Sequence, residues 1–141
     1  MTRTSILLVA PLLAGACGWF DDPAPDRARV VVEGEAGKEV RLIISTQFVA
    51  SVNDQGQTRV VLFQADTVIV TLPFETVYTI EEDHQFFSET ARLEADLQNV
   101  RVQIYLDHRK EFDAGGPLLP DQPYRFVYTF NRATTRDIVV L

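Results

Sequence analysis

Apolar and polar residues alternate along most of the chain after residue 27, and this two-residue period is typical of β-strands that bury one face. β-branched and aromatic residues fill the alternating runs, and polar, glycine or proline residues separate them. No run has the length and period of a long helix. The pattern predicts nine strands, at residues 28–33, 39–50, 57–64, 66–72, 75–81, 87–96, 99–106, 124–131 and 134–141.

Two of these runs indicate a sheet with one buried and one wet face. Residues 100, 102, 104 and 106 are all apolar and alternate with polar residues and a tyrosine, and residues 91–97 show the same alternation. Many short strands with frequent turns predict an all-β domain over residues 27–141, an immunoglobulin-like two-sheet antiparallel sandwich. An up-and-down β-barrel is the alternative. Because the antibody-type cysteine pair is missing from this domain, the likeness is one of architecture only.

Aromatic residues supply the candidate binding surface of the domain. Tyr124 and Phe130 bound a stripe of four aromatics that alternate along one strand, and we expect this stripe to be core. Phe86 and Phe87 are adjacent, so a strand directs them to opposite faces. We expect Phe86 to point outward as an interaction residue and Phe87 inward, because Phe87 has the parity of Ala91.

The first sixteen residues have the three-part plan of a secretory signal peptide. Arg3 precedes an apolar run, Ile6–Leu13, and the small residues Ala14–Ala16 follow it. Even when the apolar segment is extended to Phe20, it is shorter than the roughly 20 residues that a spanning helix needs. The pattern therefore predicts export.

The only cysteine of the chain, Cys17, comes directly after this leader. The stretch Leu12–Cys17 resembles the lipobox of bacterial lipoprotein precursors, with Ala14 where that family most often has leucine. The resemblance implies cleavage after residue 16, lipid on Cys17 and a membrane anchor in the cell envelope. Gly18 after the cysteine implies the outer membrane if the host has two membranes. Ordinary secretion with a free thiol is the alternative, since residues 14–16 also fit an Ala-x-Ala site.

Residues 17–26 predict a short stiff tether between the anchor and the domain. Pro23 and Pro25 restrict the backbone there. Trp19 and Phe20 are further candidate interaction residues, which lie either in the lipid headgroup zone or against the domain.

Charge and residue types exclude several kinds of chemistry. The formal net charge is -7, and removing residues 1–16 with Arg3 leaves 20 acidic and 12 basic residues, or -8, so nucleic acid is not an expected partner. His84 and His108 are the only histidines and no cysteine follows residue 17, so we expect no zinc or copper site, and no cofactor is predicted. The acidic residues 81–83 predict a solvated turn.

No nucleophile elbow, acid–base pair or phosphate-binding glycine loop is present in the sequence, so we expect no enzyme. The leading hypothesis is a membrane-anchored interaction or accessory module on the periplasmic face of an envelope or integral membrane complex. The alternative is a carrier of a lipid or small molecule with an apolar pocket between its sheets or inside a barrel.

Overall fold

The computed structural model describes residues 24–80, 84–93, 98–130 and 137–140, and within these residues it contains nine β-strands and no helix. The strands are β1 (Arg27–Gly34), β2 (Glu39–Val52), β3 (Thr58–Thr71), β4 (Phe74–Thr79), β5 (Gln85–Arg92), β6 (Gln98–Leu106), β7 (Arg109–Leu118), β8 (Tyr124–Thr129) and β9 (Asp137–Val140).

The strands form two antiparallel sheets that pack face to face. The four-stranded sheet has the order β4-β1-β6-β7, and the five-stranded sheet has the order β3-β2-β5-β8-β9. Hairpins join β2 to β3, β6 to β7 and β8 to β9, and the remaining connections cross between the sheets. The predicted sandwich is therefore confirmed, and the barrel alternative is wrong because the two sheets do not close on each other.

The core lies between the sheets and contains side chains from both. The apolar row of β6 is buried throughout, as its alternation predicts, while Arg101 on the same strand is exposed. The stripe of four aromatics on and after β8 is also core: Phe126 and Tyr128 are buried, and Tyr124 and Phe130 pack against the core. The other large buried side chains include Val30, Val32, Val40, Leu42, Phe86, Ile104, Leu106 and Leu118.

Two strands differ from the prediction. Residues 109–118 form β7, where the sequence predicts no strand because charged residues, two glycines and Pro117 interrupt the apolar pattern. The predicted break at Ala65 does not exist, and β3 continues across it for 14 residues. Two register shifts in its pairing with β2 absorb the polar stretch from Gln64 to Asp66.

Candidate functional site

The long hairpin of β2 and β3 extends beyond the body of the sandwich. β2 pairs with β5 only from Val40 to Ser45, whereas its pairing with β3 continues to Val52 and Thr58. Residues 47–64 are therefore a two-stranded ribbon without a third strand. At about 3.4 Å per residue, each strand of the ribbon is roughly 20–25 Å long beyond the last β2–β5 pair.

The base of the ribbon is an irregularity that Ser45 stabilises. The register shifts twice here, between Ile44 and Gln47 and again between Gln47 and Phe48. The buried Ser45 hydroxyl donates a hydrogen bond to the carbonyl oxygen of Gln64 and accepts one from the backbone N–H of Gln47 at 3.1 Å. Ser45 thereby satisfies backbone groups that the bulge removes from the regular ladder.

The tip of the ribbon is a polar turn that Asn53 organises. Its side-chain oxygen accepts hydrogen bonds from the backbone N–H groups of Gln55 at 3.0 Å and Gln57 at 2.8 Å. Gly56 follows with a φ of 76°, a conformation that favours glycine. The tip of the hairpin is therefore a polar turn that its own hydrogen bonds hold in place.

One face of the ribbon folds onto the outer surface of the five-stranded sheet. Phe48 of the ribbon packs edge-on against Phe87 of β5, with 6.2 Å between the ring centroids, and Val127 completes the contact. The backbone N–H of Phe48 also donates to the side-chain oxygen of Gln85 at 3.3 Å. We call this group the ribbon cluster; its members are Phe48, Phe87 and Val127, with the half-buried Ile43, Val60 and Leu62 packed around them.

The opposite face of the ribbon is apolar and open to solvent. Val49 and Val61 are partners in the register and are 51% and 44% exposed, and Phe63 at the bulge is 66% exposed. The only charged residues of the ribbon are Asp54 and Arg59, so its net charge is zero within a strongly acidic chain. Exposed apolar strips of this kind mark contact sites for another protein or for a membrane.

The ribbon projects at the end of the sandwich where the chain enters. β1 begins there, with Arg27 paired to Thr79, and the connection from β4 leads to Gln85 at the start of β5. β2 runs toward the same end, because its pairing with β5 places Ser45 opposite Phe87. The apolar strip therefore lies at the same end of the domain as Arg27, the first residue of β1.

The structure corrects the assignment of the two adjacent phenylalanines. They do point to opposite faces, but both are buried, Phe86 at 0% and Phe87 at 4% exposure. Phe86 enters the core between the sheets, so the prediction that it points outward is wrong. Phe87 and Ala91 share the outer face of β5, where the ribbon and neighbouring side chains cover that face.

The other predicted positions divide into those outside and those inside the described residues. Cys17, Trp19, Phe20 and the acidic residues 81–83 lie outside them, so the anchor and these contacts stay predictions. His108 is exposed in the turn after β6. His84 is half-buried, with its ring edge-on to Phe130 at 6.0 Å.

In the described ranges, no group of three or more histidine, cysteine, aspartate or glutamate side chains is arranged to hold a metal ion. Helices long and apolar enough to cross a membrane are likewise not found among the residues that the structure covers.

A network of charged side chains covers the outer face of the four-stranded sheet. Arg101 binds the Asp113 carboxylate with two hydrogen bonds of 2.7 and 2.9 Å, and Lys110 adds a third of 2.6 Å. These bonds hold the pKa of the Asp113 carboxyl well below its ordinary value. Arg29 lies 4.0 Å above the ring of Tyr105 and pairs with Glu75 at 3.2 Å. This face is highly polar, in contrast to the ribbon.

The outer face of the five-stranded sheet carries a more buried ion pair. Glu89 is 8% exposed, and its carboxylate accepts a 2.6 Å hydrogen bond from Arg125 and lies 3.7 Å from Arg41. Inside the core, burial raises the pKa of the Tyr128 hydroxyl to about 12. Neither Glu89 nor Tyr128 lines the surface depression beside the connection from β7 to β8.

One surface depression of about 450 Å³ lies beside the connection from β7 to β8. Its lining includes Asp121, Arg125 and Tyr124, together with Pro117, Gln122 and Pro123. It is open and partly charged and does not extend between the sheets, where large apolar side chains fill the space. The ribbon is therefore the strongest candidate for a functional surface.

Comparison of the chain with protein families, with curated proteins and with solved structures finds no match in any of the three.

Proposed function

We propose that this protein is a non-catalytic lipoprotein, anchored to a membrane of the cell envelope through Cys17, that acts as an interaction or accessory module of an envelope protein complex. The domain faces the periplasm in this proposal, and the membrane is the outer one if the host has two. The partner is an envelope or integral membrane protein.

The ribbon is the observation that supports this proposal. Val49, Val61 and Phe63 expose an apolar strip, while the opposite face of the same ribbon is held in place by the ribbon cluster. A rigidly held apolar surface gains more free energy on binding than a mobile one, because less conformational entropy is lost. In this proposal the ribbon faces the membrane, because it lies at the same end of the domain as the start of β1, to which residues 17–26 lead.

The anchor is tested by mass spectrometry of the N-terminal peptide from the membrane fraction. We expect an acylated Cys17 as the first residue and release of a Cys17→Ser variant into the soluble fraction. A retained Met1, or an unmodified cysteine on a soluble protein, would contradict the anchor without bearing on the ribbon.

The interaction surface is tested by purifying the full chain in mild detergent and quantifying the proteins that co-purify. A Val49→Ser, Val61→Ser double variant should lower the recovery of a specific envelope partner by about tenfold or more, equivalent to roughly 1.4 kcal/mol of binding. Val77→Ser is the matched control, since Val77 is also an exposed strand valine, 56% accessible, on the other sheet. Equal partner recovery from the double variant and the control would exclude the ribbon as the binding surface.

A further inference from the structure

The outer edge of β3 is an unprotected sheet edge. β3 hydrogen-bonds to β2 on one side, and on its other side no strand of the described chain pairs with it. Over its 14 residues it contains no proline and only two charged residues, Arg59 and Asp66. β7, an edge strand of the other sheet, instead carries a proline and four charged residues. Proteins commonly use prolines and charges to prevent edge pairing, so β3, although bulged, is less protected than β7 against pairing with another strand.

The bulge in β3 determines which side chains share a face. Asp66 lies opposite Ile44, whose side chain enters the core, so Asp66 is on the core side of the sheet. The register then skips Phe63 and places Leu62 opposite Phe48, on the side of the ribbon cluster. Arg59 is three residues from Leu62 and so points away from that cluster. Arg59 and Asp66 therefore face the same side, although seven residues of a regular strand would separate them onto opposite faces.

These two charges make the edge complementary to itself. We propose that β3 pairs antiparallel with β3 of a second copy of the chain, with Arg59 of each copy opposite Asp66 of the other. In this register Val61 lies opposite Gln64 and Leu62 opposite Phe63, so the two bulges meet at the two-fold axis. Outside the bulges, the two residues of every pair then point to the same face of the joined sheet. A continuous antiparallel sheet requires this arrangement.

Charge also selects the edge at which two copies of the chain can meet. The whole chain carries a net charge of -7, so two copies repel each other over most of their surfaces. The ribbon has no net charge, and neither Arg59 nor Asp66 has an ion-pair partner within the described residues. Pairing the two copies at β3 forms two ion pairs, each between Arg59 of one copy and Asp66 of the other. Edge pairing uses backbone groups and leaves Val49 on the ribbon face free, so this inference does not rest on the proposed function.

The test is a charge swap, measured by sedimentation equilibrium of the full chain in mild detergent. The unaltered protein should dimerise reversibly. Arg59→Asp and Asp66→Arg should each raise the dimer dissociation constant by about tenfold or more, because each places like charges opposite one another at two sites. The double variant exchanges the charges and should return the constant to within about threefold of the unaltered value.

Asp54→Arg is the matched control, since Asp54 is exposed in the ribbon tip and is not in the paired segment. It should leave the dissociation constant unchanged. Two copies that merely share one micelle would also ignore Arg59→Asp and Asp66→Arg, so the weakening by these two variants distinguishes a specific dimer from shared micelles. A protein that stays monomeric up to millimolar concentration, a dimer that ignores all four variants, or a double variant that fails to recover would each overturn the proposal.

Discussion

The ribbon cluster and the core between the two sheets each contain one of two neighbouring residues of β5, yet the two clusters join different parts of the molecule. Phe86 lies among side chains from both sheets, with ring centroids 6.1 Å from Tyr78 and 6.5 Å from Phe126. Phe87 is covered on the other face of β5 by Phe48, which the ribbon supplies. Phe86 therefore joins the two layers of the sandwich, whereas Phe87 joins the ribbon to one layer. Equal burial does not imply an equal structural role.

The largest effect that distinguishes the two clusters should come from the core. Phe86→Ala should lower the free energy of unfolding by about 3–5 kcal/mol, because it leaves a cavity among side chains that cannot close around it. Denaturant unfolding followed by circular dichroism measures this loss. A loss below about 1 kcal/mol would show that Phe86 is not part of a close-packed core.

Phe87→Ala should cost less, about 2–3 kcal/mol, because three of the surrounding residues are half-exposed and can move into the space. Its effect should also be local. Amide hydrogen exchange should accelerate in residues 47–64 while β1 and β6 keep their protection. Phe63→Ala is the control, since Phe63 is exposed and should leave both quantities nearly unchanged. Uniformly faster exchange across the sandwich would show that the ribbon and the body do not behave as separate units.

Ser45→Ala should cost about 1 kcal/mol, since it removes the hydroxyl that bonds the backbone of Gln64 and Gln47 at the ribbon base. Faster amide exchange at Gln47 should accompany this loss. Thr46→Ala changes the next side chain, which is only half-buried, and serves as the comparison. If the two variants have equal stability and equal exchange, the bulge does not depend on Ser45.

The smallest effect concerns a charged group on the body of the sandwich. Arg101 and Lys110 lower the pKa of Asp113 in the folded state, so its stabilising contribution is complete above the unfolded pKa of about 3.9 and is lost as the pH falls toward the folded value. Asp113→Asn should therefore be slightly less stable than the unaltered protein at neutral pH, and the difference should narrow below about pH 4. Urea unfolding at pH 7 and pH 3 measures this. A difference that widens in acid would contradict the assigned direction of the pKa shift.

Local alternation predicts much of the fold. The burial of Val100, Val102 and Ile104 on β6 follows from a period of two, and so does the aromatic stripe that ends at Phe130. β7 could not be predicted in this way, because Gly115, Gly116 and Pro117 are usual loop residues and only pairing with β6 makes them a strand.

The candidate site depends on features that local patterns do not contain. The ribbon exists because β5 stops pairing with β2 at Ser45 while β3 continues, and that difference between two partner strands is not visible in either sequence segment alone. The prediction for Phe86 is wrong because it uses Ala91, which shares the face of Phe87, as a marker of the core. In the structure both faces of β5 are buried. Alternation along this strand therefore does not distinguish a face toward the core from a face toward solvent.

The position of β1 in its sheet has a consequence for how a newly made chain acquires this fold. β1 is the first of the described strands to be synthesised, yet its two neighbours are β4, which begins at Phe74, and β6, which ends at Leu106. The valine-rich segment Val30–Val32 therefore stays without a native neighbour until β4 has been made, and without its second neighbour until β6 has been made, whereas β2 and β3 can pair as soon as their hairpin is complete. Loops of this length close slowly and leave apolar segments exposed in the meantime. A chaperone that holds unfolded chains would thus find its natural binding site at the N-terminal strand of this domain.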